Sequence, residues 1–301
     1  MSNCDFIDAF VAKVREIFKT KEFIPLHAPR FAGQEKELIL ETLESTFVSS
    51  VGECVDKFEQ DIARYTGAEF AVAVSSGTAA LHTALHVVGV ALDNEVITTP
   101  LTFVATCNAI SYCGARPVFV DVDLDTLGLS PQSLAQFLEQ HAEIRQDGLC
   151  WNRFSGKVIR ACVPVHNLGH PARAEEIAKV CGRYNIAVIE DAAESLGSLT
   201  DAEHTGRVGL MGVLSFNGNK IITTGGGGAL ITDDAAFAKR LKHLTTTAKQ
   251  PHPWLFQHDE VGFNYRLPNL NAALGLAQIA QLDDFVVKKR DLARYYADWL
   301  D

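Results

Sequence analysis

The chain has 301 residues, 47% hydrophobic and 21% charged, enough to bury a large core as one big domain plus part of another. A formal charge of −10 and a pI near 5.5 give no basic field for nucleic acid or an anionic membrane, so any anionic ligand must be held locally. Seven scattered cysteines without a C-x-x-C pair predict reduced, mostly buried thiols. An acidic Met1 to Asp8 stretch and no run of 18 apolar residues predict a cytoplasmic protein.

In chain order, helical spacing is predicted over 6–18, 34–46 and 55–65, an N-terminal segment (1–66) that packs across the large domain. From there strands are predicted at 70–74, 95–98, 117–121, 158–165, 186–190, 213–216 and 229–232. Helices are predicted between them at 78–90, 102–112, 131–141, 172–184 and 233–244. The alternation argues an α/β fold with a mainly parallel seven-stranded sheet sandwiched by helices, over 67–250. A polar, glycine-containing stretch at 143–157 interrupts the rhythm and reads as a surface hairpin. The last pattern, 270–300, reads as one long helix that stops without a cap, as expected of a C-terminally incomplete chain.

Ligands of such sheets gather at the carboxyl ends of the strands, where Ser76, Asp191 and Lys220 all fall. Lys220 follows the strand and hydroxyl of Ser215-Phe216-Asn217-Gly218-Asn219, and desolvation or a nearby charge would free its amine to bond an aldehyde. Taken alone it reads as a surface lysine. Asp191 ends an apolar strand, suited either to capping a turn or to keeping a pyridine nitrogen protonated. Ser76-Gly77-Thr78, between strand and helix, offers backbone N–H groups and hydroxyls to a phosphate, or an ordinary N-cap. Phe103 is a stacking candidate or a core aromatic. An amine, a carboxylate and an anion cradle together fit pyridoxal 5'-phosphate.

Other signals point away from rival chemistry. Gly225 to Gly228 opens no helix and no dinucleotide or P-loop pattern occurs, so the run serves close backbone approach beside the lysine loop. His82 and His86 are four apart, but Thr83 stands where a zinc hydrolase needs glutamate, and they read as a satisfied helix pair. His166 and His170 suit ligand contact or plain turn structure equally. No metal is expected.

Taken together, Ser76-Gly-Thr-Ala-Ala-Leu-His, Pro100-Leu-Thr-Phe-Val-Ala-Thr, Gly169-His-Pro, Glu190-Asp-Ala-Ala-Glu-Ser-Leu-Gly, Ser215-Phe-Asn-Gly-Asn-Lys and Gly262-Phe-Asn-Tyr-Arg-Leu-Pro resemble the DegT/DnrJ/EryC1/StrS sugar aminotransferases. The resemblance implies a fold-type I enzyme with Lys220 as the Schiff-base lysine and Asp191 as the pyridinium partner. Ser215, Gly77 and Thr78 would hold phosphate, Phe103 would stack, and Glu194 stands where many relatives carry His or Gln beside the ring. It also implies a homodimer whose partner sends Asn264 to the phosphate with Arg266 nearby, and a small C-terminal domain begun by a linker over 251–301.

Residues 24–31 and 45–52 look most like the branch associated with legionaminic acid and related 4-amino-4,6-dideoxy sugars. The implied substrates are a UDP-linked 4-keto-6-deoxy-N-acetylhexosamine and L-glutamate, with His27, Ser49 and His166 as sugar-contact candidates. A sugar dehydratase on the same fold would replace the lysine with histidine, which Lys220 argues against. A non-catalytic sensor would carry a basic DNA-binding extension, absent from the acidic N-terminus, and an oxidoreductase would need the missing dinucleotide fingerprint.

Overall fold

The computed structural model describes residues 3–49 and 52–300; Ser50 and Val51 of the 45–52 stretch, Met1, Ser2 and Asp301 lie outside them. Strands β1 (Phe70–Val74), β2 (Glu95–Thr98), β3 (Arg116–Phe119), β6 (Ile159–Cys162), β7 (Ala187–Asp191), β10 (Met211–Ser215) and β11 (Gly228–Thr232) form one sheet in the order β1-β11-β10-β7-β6-β2-β3. The run from β10 to β3 is parallel, while β11 lies antiparallel between β1 and β10. The 143–157 stretch contains a hairpin of β4 (Ala142–Ile144) and β5 (Cys150–Asn152), and a small ribbon pairs β8 (Leu199–Thr200) with β9 (Glu203–His204).

Alternation along each strand sorts the core onto two faces. Val74, Val96, Ile189, Val213 and Leu230 face helices α4 (Gly77–Val87), α5 (Val104–Tyr112) and α8 (Ala235–Thr245). Their neighbours Ala73, Leu214 and Ile231 face α3 (Glu53–Thr66) and α9 (Asn269–Ile279), with Phe58 set edge-on to Phe216 at 5.1 Å. On the same face Ile97 and Val188 meet α6 (Pro131–His141) and α7 (Ala174–Gly182). Among the described residues no helix is long and apolar enough to cross a membrane.

Of the N-terminal helices, α2 (Glu35–Glu44) and α3 lie against α9, and α1 (Asn3–Phe18) stacks Phe6 and Phe10 on Trp299 and Tyr296 of α10 (Leu282–Leu300). Two expectations are corrected. The 270–300 pattern is two helices, α9 and α10, because the Gln281 amide bonds the carbonyl three residues back at Gln278. The side chains of Gln278 and Gln281 turn inward onto Glu35 Oε1, each at 2.7 Å. All seven cysteines are free, but only Cys150, Cys162 and Cys181 are fully buried, and Cys4 is exposed on α1.

Candidate active site

The anion cradle is built where β1 turns into α4. Ser76 is extended and caps the helix, its Oγ accepting the Ala79 amide at 3.1 Å and its carbonyl the Ala80 amide at 3.0 Å. This leaves the Gly77 and Thr78 amides without an acceptor among the described residues, at the positive end of the helix. A side chain on Gly77 would put Cβ 3.0 Å from Ser215 Cβ, and one on Gly228 would put Cβ 2.6 Å from the Gly77 nitrogen. The glycine run therefore does permit close approach, of β11 to the cradle itself.

Asp191 arrives at the end of β7. Its Oδ2 accepts the Thr106 hydroxyl at 2.7 Å and its Oδ1 the Ala193 amide at 3.2 Å. Burial holds the carboxyl above the ordinary aspartate value, against those hydrogen bonds and the Lys220 charge. No cation among the described residues touches it, so a protonated ring nitrogen would supply the missing partner. Thr106 comes from α5, whose first residue follows Phe103, 71% exposed on the cavity wall.

Lys220 closes a turn after β10, its amide bonding the Asn217 carbonyl at 3.0 Å. Its Nζ lies 3.0 Å from Glu194 Oε1, while Glu194 Oε2 accepts the Leu168 amide at 3.0 Å. Leu168 sits in the left-handed region, φ 54°, which aims that amide at the carboxylate. Cradle, carboxylate and amine line one cavity of about 310 Å³. Free amides for a phosphate, a buried acid short of a cation and an amine lining the same cavity fit pyridoxal phosphate.

The sequence profile of the DegT/DnrJ/EryC1/StrS aminotransferase family matches residues 29–301. The chain belongs to that family. Membership brings an aminotransferase class and a pyridoxal phosphate cofactor. EpsN of Bacillus subtilis (strain 168), provisionally named a pyridoxal phosphate-dependent aminotransferase, is 39% identical over 277 residues, 92% of this chain and 68% of its own length. The GDP-perosamine synthase of Escherichia coli O157:H7 is 38% identical over 275 residues, 91% of this chain and 71% of its own. Among solved structures, the aminotransferase TlmJ from Streptoalloteichus hindustanus superposes with a TM-score of 0.81 at 29% identity, covering 92% of this chain and 71% of its own. The chain thus spans about two thirds of the length of these DegT-family relatives.

Other expected DegT-family site residues are spread more widely. His166 reaches the cavity, but both ring nitrogens are spent inside the protein: Nδ1 accepts the Ala172 amide at 3.0 Å and Nε2 lies 2.9 Å from Glu190 Oε2. The acceptor role of Nδ1 puts the ring hydrogen on Nε2. Ser49 lies away from the cavity, its carbonyl accepting the Asn269 amide at 2.5 Å. Asn264 is exposed and Arg266 donates to its Oδ1 at 2.9 and 3.1 Å, both outside this chain's own cavity. His82, as read, is satisfied: Nδ1 meets the Tyr265 hydroxyl at 3.1 Å, and Phe263 packs on both His82 and His86.

Glu190 is the feature that motif reasoning passed over. Fully buried, it receives the amides of Gly206, Val208 and Gly209 at 2.7 to 3.0 Å as well as His166. It thereby clamps two loops around the strand end that carries Asp191. Burial pushes its carboxyl up, but the His166 bond and the Gly209 and Gly206 amides outweigh burial and leave it below its ordinary value of 4.5. Glu190→Gln sets an NH2 group against these donors and is expected to cost about 3 kcal/mol in urea unfolding at pH 7. A group held low contributes stability above its unfolded value and loses it as pH falls through the folded one, so the gap to wild type narrows below pH 4.5. An unchanged gap at lower pH would contradict this.

Proposed function

We propose that this chain transfers the amino group of L-glutamate to the ketone of a nucleotide-linked 4-keto-6-deoxy sugar. The products are 2-oxoglutarate and a 4-amino-4,6-dideoxy sugar, made for surface polysaccharide or nonulosonic acid synthesis. The observation that carries this reading is Lys220, Asp191 and a helix N-terminus with free amides lining one cavity. The GDP-perosamine synthase relatives support a nucleotide-sugar acceptor.

Pyridoxal phosphate, when bound, supplies an aldehyde that captures amines and a ring that draws electrons from the adjoining carbon. The chain supplies the rest. Gly77 and Thr78 amides with Ser215 would hold the phosphate, Asp191 would keep the ring nitrogen protonated, and Phe103 would cover one ring face. Lys220 Nζ would anchor the aldehyde and, once released, move a proton off the donor Cα and later onto the sugar C4. Glu194, itself fixed by the Leu168 amide, would steer that amine. We further propose a cytoplasmic homodimer in which the partner's copies of Asn264 and Arg266 complete the site.

The sugar reading favours a UDP-linked N-acetylhexosamine, and the relatives' names favour GDP. The test incubates the cofactor-loaded protein and glutamate with UDP- and GDP-linked 4-keto-6-deoxy sugars and identifies the amine by mass and NMR. An amino sugar with matching 2-oxoglutarate is expected. A dehydrated product, or none from any sugar, would reject transamination.

A further inference from the structure

Beyond Lys220 the space continues. A second cavity, about 360 Å³, shares Ala193, Glu194, Ser215, Asn219 and Lys220 with the first. Its outer wall carries His27, Lys289 and Arg290.

Its two cations, Lys289 and Arg290, meet only neutral acceptors. Lys289 Nζ lies 3.5 Å from His27 Nδ1, and because an ammonium has no lone pair, Nδ1 accepts and the ring hydrogen belongs on Nε2. His27 Nε2 is buried and has no hydrogen-bond partner among the described residues. Burial pushes the imidazole pKa down and Lys289 pushes it further; the Lys220 carbonyl opposes them without reaching hydrogen-bond geometry. Arg290 donates to the Gly197 carbonyl at 3.2 Å. Neither Lys289 nor Arg290 has a carboxylate partner among the described residues, whereas Lys288 beside them is paired with Asp284. The one carboxylate on the cavity wall, Glu194, is already taken by Lys220 and the Leu168 amide.

Two cations without a carboxylate partner among the described residues, on the wall of a space that opens onto the reacting lysine, call for oxyanions. We propose that Lys289, braced by His27, and Arg290 form a subsite for the charged end of a substrate whose reacting end lies against Lys220. This rests on the transaminase reading, under which two substrates use the same space in turn. Each carries the required chemistry: a distal carboxylate on the amino-acid donor, a diphosphate on the nucleotide sugar. Lys289 and Arg290 lie on the exposed face of α10, so the contact weakens as salt rises.

The test uses the cofactor-loaded protein with Lys289→Gln, Arg290→Gln, both together, and Lys289→Arg. Titration calorimetry with UDP and GDP reads the nucleotide arm. The change in cofactor absorbance on adding L-glutamate, against L-norvaline, which lacks the distal carboxylate, reads the donor arm. Each Gln substitution is expected to weaken either the nucleotides or glutamate about tenfold, with norvaline unmoved and Lys289→Arg near wild type. Which ligand weakens identifies the source of the oxyanion. Binding of all three ligands by the double variant within threefold of wild type overturns the proposal, as does a norvaline loss equal to that of glutamate. Should wild type ignore glutamate while the double variant still loses nucleotide, the transaminase reading fails and the subsite stands.

Discussion

Lys220→Ala is expected to lower turnover by about 10⁴-fold or more, because under the proposed mechanism one nitrogen both anchors the aldehyde and carries the proton. Among the residues lining the 310 Å³ cavity Lys220 supplies the only amine, so no neighbour can substitute. Glu194 loses its cation but keeps the Leu168 amide, and the fold should persist. Borohydride treatment of the loaded wild type should leave a stable adduct on the peptide holding Lys220, and on no peptide of the variant. Turnover within tenfold of wild type would refute the assigned role.

Asp191→Asn is expected to cost about 10³-fold in turnover while making the cofactor-free protein more stable. The carboxyl is buried and its pKa is raised, so the fold favours the protonated form; that contribution is full below the ordinary value of 3.8 and is lost as pH rises through the folded value. Above that value the ionised acid strains the site, and a neutral amide relieves it. Thr106 and Ala193 can bond an amide of the same shape. The thermal midpoint of the cofactor-free variant should rise by about 2–4 °C at pH 7, and the gain should shrink toward pH 4. A lower midpoint at pH 7 would show that Asp191 is held for stability.

Much of the sheet was legible because apolar runs ending in polar residues mark strands locally. The strand before Asp191 and the one before Lys220 lie within a residue or two of expectation. Signals that depend on distant partners were not legible. The break between α9 and α10 hides within an unbroken helical period, because it is set by Gln278 and Gln281 meeting Glu35. Glu190 stands in a motif beside Asp191 with no local sign of its partners, and only the fold brings the Gly206 to Gly209 loop onto it. His27 was named for its place in a motif, but its unpartnered nitrogen and its pairing with Lys289 needed coordinates. Ser49 shows the converse, a motif residue whose carbonyl braces α9 away from the cavity.

The reversed strand β11 has a consequence for how the protein is made. Strand β1 is the sheet's outermost member and is tied to it only through β11, with Val74 opposite Gly228. A ribosome emitting this chain has long released β1 before its sole sheet partner emerges, and a connection of that reach closes slowly. Until then the turn proposed to hold the phosphate has no floor. Vitamin B6 capture during synthesis should therefore mark the moment residue 228 docks, and arrested chains ending short of that point should emerge without it.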